Sequence, residues 1–88
     1  MIQNKLFRQC LAAIPPEQKA EFELSHGIEE RISEVLKSKG ITQKDFAHQL
    51  NKRESEVSKW LTGRHNFTMQ TIAKIETALG CKLIALVQ

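Results

Sequence analysis

The chain has no tyrosine and only two cysteines, two prolines and one tryptophan. Cys10 and Cys81 are too few for a disulfide-rich scaffold and too far apart for a Cys-x-x-Cys metal site. His26, His48 and His65 are scattered rather than placed at metal-ligand spacing. We therefore expect two reduced cysteines that act as small apolar side chains, and neither a metal site nor another cofactor.

Long apolar segments are also missing. No apolar run approaches the roughly 18 residues that a membrane-spanning helix needs, and the N-terminus lacks the features of a signal peptide. The sequence contains no glycine-rich phosphate loop, no nucleophile elbow and no histidine-glutamate metal motif. These absences favour a cytoplasmic protein that is not an enzyme and does not enter a membrane.

The composition is typical of one small domain with a single modest core. The 88 residues include 41% apolar and 26% charged side chains, and the formal net charge is +3. Residues 1–24 are neutral overall, so the whole positive excess lies beyond them. A mild positive charge is compatible with nucleic-acid binding, but it does not indicate a function by itself.

Apolar residues recur at helical spacing through the first half of the chain. Apolar residues recur at helical spacing from Ile2 to Ile14, where two consecutive prolines end the pattern. A second apolar stripe follows, and its clearest part covers residues 28–39 and stops at Gly40. Gly27 either splits this second stretch or kinks it. The pattern predicts an N-terminal helix and then a helix over residues 28–39.

Three shorter helices are predicted after Gly40. Thr42 caps a helix that ends at Leu50, Asn51 tolerates the positive φ of a tight turn, and another helix covers about 54–62. The last helix begins after Thr68. Its predicted apolar face consists of Met69, Ile72, Ile75 and Leu79.

The final segment, "CKLIALVQ" at residues 81–88, has a different character from the helices before it. It is rich in aliphatic residues and lacks helix caps, so it predicts a short β-strand. Because no second strand is apparent and an unpaired apolar edge is a liability, we expect this strand to pair with its copy in a two-fold dimer. The alternatives are a continuation of the last helix, or a tail that packs alone over the core.

The helix predicted at about 54–62 has two chemically different faces. The face predicted to enter the core consists of Val57, Trp60 and Leu61. The opposite face, at i, i+3, i+4 and i+7 spacing, consists of Ser55, Ser58, Lys59 and Thr62, with Glu54 at its leading end. Two short helices joined by a tight turn, the second with an exposed polar face, have the outline of a helix-turn-helix.

Residues 42–80 combine several features at fixed positions, which are Thr42-Gln43, Ala47, Asn51, Val57-Ser58, Trp60 and Gly63. With this set, the segment resembles the phage-repressor and Cro-type helix-turn-helix family, often called the XRE family. The chain departs from the family pattern in having Asn51 instead of glycine at the turn, and Arg53 instead of a capping serine or threonine.

This resemblance implies a mainly α fold. We expect a five-helix, phage-repressor-like helix-turn-helix domain at residues 28–80, an N-terminal helical extension at residues 1–27 and a C-terminal strand at residues 81–88.

The resemblance also implies where double-stranded DNA would bind. In this family the second helix of the motif lies in the major groove, and the first crosses the phosphate backbone. By position, the predicted base-contacting residues are Glu54, Ser55 and Lys59. The predicted phosphate-contacting residues are Gln43, Lys52, Arg53, Ser58, Arg64 and Asn66. Glu54 and Glu56 have a second interpretation, in which they complement the positive N-terminus of their helix.

The function implied is that of a sequence-specific transcriptional regulator, repressor-like and homodimeric. An alternative is a resemblance to HigA-type antitoxins, which bind operator DNA and neutralise a toxin through a separate surface. Residues 2–24 would then either dock a partner protein, such as a cognate toxin, or complete the core of this domain. A further possibility is a protein-interaction module that has lost DNA binding.

Overall fold

A computed structural model describes residues 13–62 and 66–87, and these residues form four α-helices. No helix in these two ranges is long and apolar enough to cross a membrane. The helix predicted from Ile2 to Ile14 lies almost entirely outside the described residues, so the five-helix count is not reproduced within them. The four helices are α1 (Pro16–Lys39), α2 (Gln43–Gln49), α3 (Glu54–Trp60) and α4 (Met69–Leu79).

Helix α1 is one continuous helix of 24 residues, about 36 Å long. Pro16 occupies its first position, where a missing backbone N–H costs nothing. Gly40 ends it at a φ of 67°, and the Gly40 N–H donates to the carbonyls of Leu36 and Lys37. The helix passes through Gly27 without a break, so the boundary expected there falls inside a single helix.

Only the second half of α1 contributes to the hydrophobic core. The buried residues begin at Ile28, whereas Ile14, Phe22 and Leu24 are 39%, 65% and 67% exposed. Among the described residues, the first half of α1 therefore lies outside this core. The buried apolar residues are Ile28, Ile32, Val35, Leu36, Phe46, Ala47, Val57, Trp60, Ile72, Ile75, Leu79 and Leu83.

Aromatic side chains join α2, α3 and the segment before α4. Phe46 is fully buried, and its ring meets the ring of Trp60 edge-on, with centroids 6.4 Å apart and an interplanar angle of 75°. The Trp60 ring also lies 6.5 Å from the ring of Phe67. Trp60 is thus a core residue, as its spacing predicted, and the three rings fix how α3 sits against the rest of the domain.

Helix α4 closes the core from the other side. Thr68 caps it, because its Oγ1 accepts from the Thr71 N–H at 3.1 Å, as the sequence predicted. Three members of the predicted apolar face are buried, but Met69 is 71% exposed. Met69 is the first residue of α4 and lies one turn before Ile72, where the helix has not yet reached the core.

The turn between α2 and α3 depends on Asn51. It has a φ of 56° and is the one non-glycine residue with a positive φ within residues 13–62 and 66–87. The Asn51 N–H donates to the His48 carbonyl at 3.1 Å, and the Lys52 N–H donates to the Ala47 carbonyl at 2.9 Å. The prediction that Asn51 makes this turn is confirmed.

Replacing Asn51 by alanine is expected to destabilise the fold by about 1 kcal/mol, because a β-carbon without a compensating polar group is unfavourable at this φ. Replacement by glycine, which adopts positive φ freely, should leave the free energy of unfolding nearly unchanged. Urea denaturation of the two variants beside the wild type measures both values. Equal losses in the two variants would contradict this account of the turn.

The C-terminal tail, residues 81–87, forms no β-strand, so that prediction is wrong for the described residues. The Glu76 carboxylate oxygen Oε2 accepts from the backbone N–H of Leu83 at 2.8 Å and of Ile84 at 3.4 Å. Arg31 Nε also donates to the Lys82 carbonyl at 3.1 Å. A side chain thus accepts the hydrogen bonds that a neighbouring strand would otherwise accept. Leu83 is buried in the core and Ile84 packs against it, whereas Leu86 and Val87 are exposed.

Acid should weaken the packing of the tail, because the tail is held by the Glu76 carboxylate. The Leu83 N–H lowers the pKa of this carboxyl below its ordinary value of 4.5, with smaller contributions from the Ile84 N–H and Lys82 against the opposing effect of burial. A lowered folded-state pKa means that the stabilisation is complete above pH 4.5 and is lost as the pH falls through that lower pKa.

We expect Glu76→Gln to be less stable than wild type at pH 7, with a smaller difference near pH 3. Urea denaturation at both values tests this, and a difference independent of pH would contradict it.

Candidate nucleic-acid interface

Helices α2 and α3 pack against each other and form the two-helix unit of the candidate interface. Helix α2 begins where Thr42 Oγ1 accepts from the Asp45 N–H at 3.1 Å. Phe46 and Ala47 turn inward and are buried, which leaves Gln43 exposed at the start of the helix. The core contacts of α2 therefore determine which of its side chains face outward.

Helix α3 begins without the capping hydroxyl that is usual at this position in the family it resembles. Arg53 is the N-cap residue, and its guanidinium cannot accept a hydrogen bond from the helix amides. Instead, Glu56 Oε1 accepts from the Arg53 N–H at 3.3 Å, which is one half of a capping box. This contact favours a structural role for Glu56, and it places the start of the helix at Glu54.

Four polar side chains occupy one exposed face of α3. At about 100° per residue, Glu54, Ser55, Ser58 and Lys59 span an arc of about 140°, and all four are exposed. Val57 and Trp60 lie on the opposite side and are buried. Thr62, predicted on the same polar face, is also exposed, and its Oγ1 donates to the Lys59 carbonyl at 3.1 Å, just past the end of the helix.

The remaining predicted contact residues that the structure describes lie on segments next to α3 in the chain or on other elements. Lys52 and Arg53 precede α3 in the turn, Gln43 is the first residue of α2, and Asn66 lies in the segment before α4. All four are exposed. Arg64 lies outside the described residues. The structure thus places four predicted residues on one helix face and the others that it describes on adjoining segments.

Two consecutive segments of the chain differ in the sign of their net charge. Residues 13–42 carry four lysines and arginines against six glutamates, whereas residues 43–66 carry five lysines and arginines against three acidic residues. One of those three acidic residues is Glu56, which is engaged at the start of α3. Lys44, exposed beside Gln43 on α2, was not among the predicted contacts. Its position next to a predicted phosphate contact was the signal available for finding it.

The interface offers hydrogen-bonding groups of several kinds and no metal centre among the described residues. Hydroxyls of Ser55 and Ser58 both donate and accept, the Lys59 ammonium donates, and the Glu54 carboxylate accepts. Such a set suits recognition of a surface that presents both donors and acceptors, as the edges of base pairs do in the major groove.

Comparison with known proteins gives a family match over most of this region. A family model described as "Helix-turn-helix" matches residues 32–86, which is more than half of the chain. The matched range includes α2, α3 and α4, the second part of α1 and nearly all of the tail.

Several curated proteins are similar over a comparable length. Endothelial differentiation-related factor 1 of Homo sapiens is 38% identical over 52 residues, which is 59% of this chain and 35% of that protein. Multiprotein-bridging factor 1 of Eremothecium gossypii is 42% identical over 45 residues, which is 51% of this chain and 30% of that protein. The chain therefore spans about a third of the length of the relatives it matches.

Proposed function

The chain belongs to the helix-turn-helix family, and on that premise we propose that it is a sequence-specific, DNA-binding transcriptional regulator with α3 in the major groove. The observation that carries the proposal is the exposed face formed by Glu54, Ser55, Ser58 and Lys59. The opposite side of the same helix is anchored in the core through Trp60. A polar face on a firmly packed helix is what reading base edges requires, because loosely held side chains discriminate poorly.

Each residue on the α3 face has a matching group on DNA. Lys59 would donate to guanine O6 and N7, Ser55 would donate to or accept from a base edge, and Glu54 would accept from a cytosine amine. The proposed phosphate contacts would hold the register, since phosphates carry no sequence information. They are Ser58 on the α3 face, together with Gln43, Lys52, Arg53, Arg64 and Asn66.

The regulator would act as a homodimer and repress by occupying an operator. A single unit of 88 residues presents one short recognition helix, which buries too little surface for strong specificity. Two copies related by a two-fold axis would place two α3 helices on half-sites about 34 Å apart. Because residues 82 and 83 of the tail are hydrogen-bonded to Arg31 and Glu76 of the same chain, the proposed homodimer does not depend on strand pairing.

Selection of bound duplexes from a random double-stranded library tests this function. The selection is run near 150 mM salt, where binding through phosphates alone is weakened. We expect recovery of an inverted repeat whose half-sites are about 10 base pairs apart, as a two-fold dimer requires. Recovery of a single unrepeated motif would support sequence-specific DNA binding and contradict binding as a homodimer. Recovery of no motif would contradict the proposed function.

A second candidate function adds protein binding to DNA binding. The exposed apolar side chains of Phe22 and Leu24 in the first half of α1 favour it, because they lie outside the core. A relative is named as a multiprotein-bridging factor, and the antitoxin alternative likewise requires a surface separate from the DNA-binding helix. Co-expression with the products of neighbouring genes, followed by size-exclusion chromatography, tests the antitoxin form. If none of these products co-eluted with the chain, the antitoxin alternative would be contradicted.

A further inference from the structure

The start of α3 is capped in a different way from the starts of α2 and α4. At both of those helices a threonine hydroxyl, Thr42 or Thr68, accepts from the backbone N–H three residues later at 3.1 Å. At α3 the hydrogen bond runs in the opposite direction along the chain, because Glu56 Oε1 accepts from the Arg53 N–H at 3.3 Å. The cap of α3 therefore comes from a side chain inside the helix, and the Arg53 guanidinium takes no part in it.

The first turn of α3 has no anchor in the hydrophobic core. Val57 and Trp60 are the buried residues of this helix, whereas Glu54 and Ser55 before them are exposed. A helix of seven residues is marginal on its own in water, and its ends fray unless packing or a cap holds them. The orientation of the first turn therefore depends on the cap, whereas the packing of Val57 and Trp60 orients the rest of the helix.

The proposed base-contacting residues fall on both sides of this division. Glu54 and Ser55 belong to the first turn, whereas Lys59 lies immediately before the buried Trp60. Loss of the cap would release the first two side chains and leave Lys59 held by the core. Sequence recognition requires side chains that are already held in one arrangement, because loosely held ones lose conformational entropy when they bind.

We propose that Glu56 is a positioning residue for DNA recognition, which orients Glu54 and Ser55 toward base edges by capping the first turn of α3. This inference rests on the proposed function, because it concerns the same DNA-binding face. Glu56 itself would contact no base, since its carboxylate accepts from the Arg53 N–H. A serine or threonine in place of Arg53 would use its side chain for the cap, whereas here the guanidinium can bind a phosphate.

The negative charge of Glu56 and its hydrogen-bonding oxygen have opposite effects on DNA binding. The charge repels phosphates, so its removal should strengthen binding to any duplex. The oxygen supplies the cap, so its removal should weaken the preference for one sequence. Two substitutions separate these effects, because Glu56→Gln loses the charge and keeps an acceptor oxygen, whereas Glu56→Ala loses both.

Fluorescence anisotropy of the intact chain and the two variants tests the proposal on the operator selected with the wild type and on random duplexes. The ratio of the two affinities measures sequence preference. We expect Glu56→Ala to lower this ratio about fivefold, the factor that corresponds to the roughly 1 kcal/mol of a helix cap, and Glu56→Gln to keep the wild-type ratio. Both variants should bind random duplexes at least as tightly as the wild type, because both lack the negative charge.

Single base-pair changes in the operator locate the loss of preference. The base pairs recognised by the first turn are those at which Glu54→Ala or Ser55→Ala loses its preference, and those recognised by Lys59 are identified in the same way. In Glu56→Ala we expect the preference to fall at the first set of base pairs and to persist at the second. A residue that only stabilised the fold would not produce this division.

NMR spectra recorded without DNA test the cap itself. Backbone carbon chemical shifts, which report helical conformation, should become less helical at Glu54 and Ser55 in Glu56→Ala and remain unchanged in Glu56→Gln. Residues 57–60 should stay helical in all three proteins. Thermal unfolding checks that the variants are folded, which is expected because Glu56 lies outside the buried core.

Three outcomes would overturn the proposal. The first is an unchanged affinity ratio in Glu56→Ala. The second is an equal fall of the ratio in Glu56→Ala and Glu56→Gln, which would assign the effect to the charge. The third is a loss of preference that extends equally to the base pairs recognised by Lys59, which would indicate displacement of the whole helix. A wild type that selects no motif would contradict the proposed function as well, and only that result contradicts both.

Discussion

Replacing Phe46 by alanine is expected to lower the free energy of unfolding by about 3–5 kcal/mol at 25 °C, the largest loss expected for any substitution considered. Phe46 is fully buried, and its ring packs against Trp60 between α2 and α3. Removing a buried phenylalanine side chain costs about 3–5 kcal/mol, because apolar burial is lost and a cavity remains. A domain of this size has a total stability on the order of 4–13 kcal/mol, so the substitution removes much of it.

Circular dichroism and urea denaturation measure this effect directly. Met69→Ala is the matched control, because it also truncates a large apolar residue but at a site that is 71% exposed. The control should lose less than about 0.5 kcal/mol, as is usual for surface substitutions. If Phe46→Ala lost no more than Met69→Ala, the contact between Phe46 and Trp60 would not be central to the fold.

Replacing Lys59 by alanine is expected to weaken binding to the selected operator by about 5- to 150-fold, which corresponds to 1–3 kcal/mol for a specific base contact. Binding to random duplexes should change much less, because that binding comes from phosphate contacts. The ratio of the two affinities, which measures sequence preference, should therefore fall. Lys59 is exposed on α3, so its removal should not disturb the core.

Fluorescence anisotropy over a range of salt concentrations separates the two kinds of contact. Lys74→Ala is the matched control, since Lys74 is an exposed lysine on α4 that is not among the proposed contacts. Lys52→Ala should weaken binding to all duplexes alike and reduce the salt slope by about one. A Lys59→Ala variant that behaved like Lys74→Ala would mean that α3 is misplaced in the proposed complex.

Features encoded by neighbouring residues were predictable from the sequence. Thr42 and Thr68 predict helix starts, because a threonine hydroxyl at such a position accepts from the backbone N–H three residues later. Both hydrogen bonds are present in the structure. Asn51 predicts a turn, because asparagine tolerates a positive φ, and its φ is indeed positive. The two faces of α3 follow from helical spacing, so the exposed set at Glu54, Ser55, Ser58 and Lys59 could be identified before the structure.

Features that depend on contacts between distant segments were not predictable in the same way. The tail was expected to be a strand because its aliphatic pattern suits one, but Glu76 accepts its backbone hydrogen bonds from a neighbouring helix. Periodicity likewise assigns an apolar stripe to α1 without indicating where the core ends, and Phe22 lies outside it. At the start of α3 the capping hydroxyl is missing, and Glu56 accepts from the Arg53 N–H, a contact that only the geometry reveals.

The unbroken path of α1 through Gly27 has a mechanical consequence. A continuous helix transmits rotation, so a molecule held near Phe22 would keep a fixed direction relative to a duplex bound by α3 in the proposed way. Inserting a single alanine near residue 27 would turn the leading half of α1 by about 100° and advance it by about 1.5 Å. A bound partner would then face another side of the double helix, and its preferred spacing from the operator would shift by a fraction of one DNA turn.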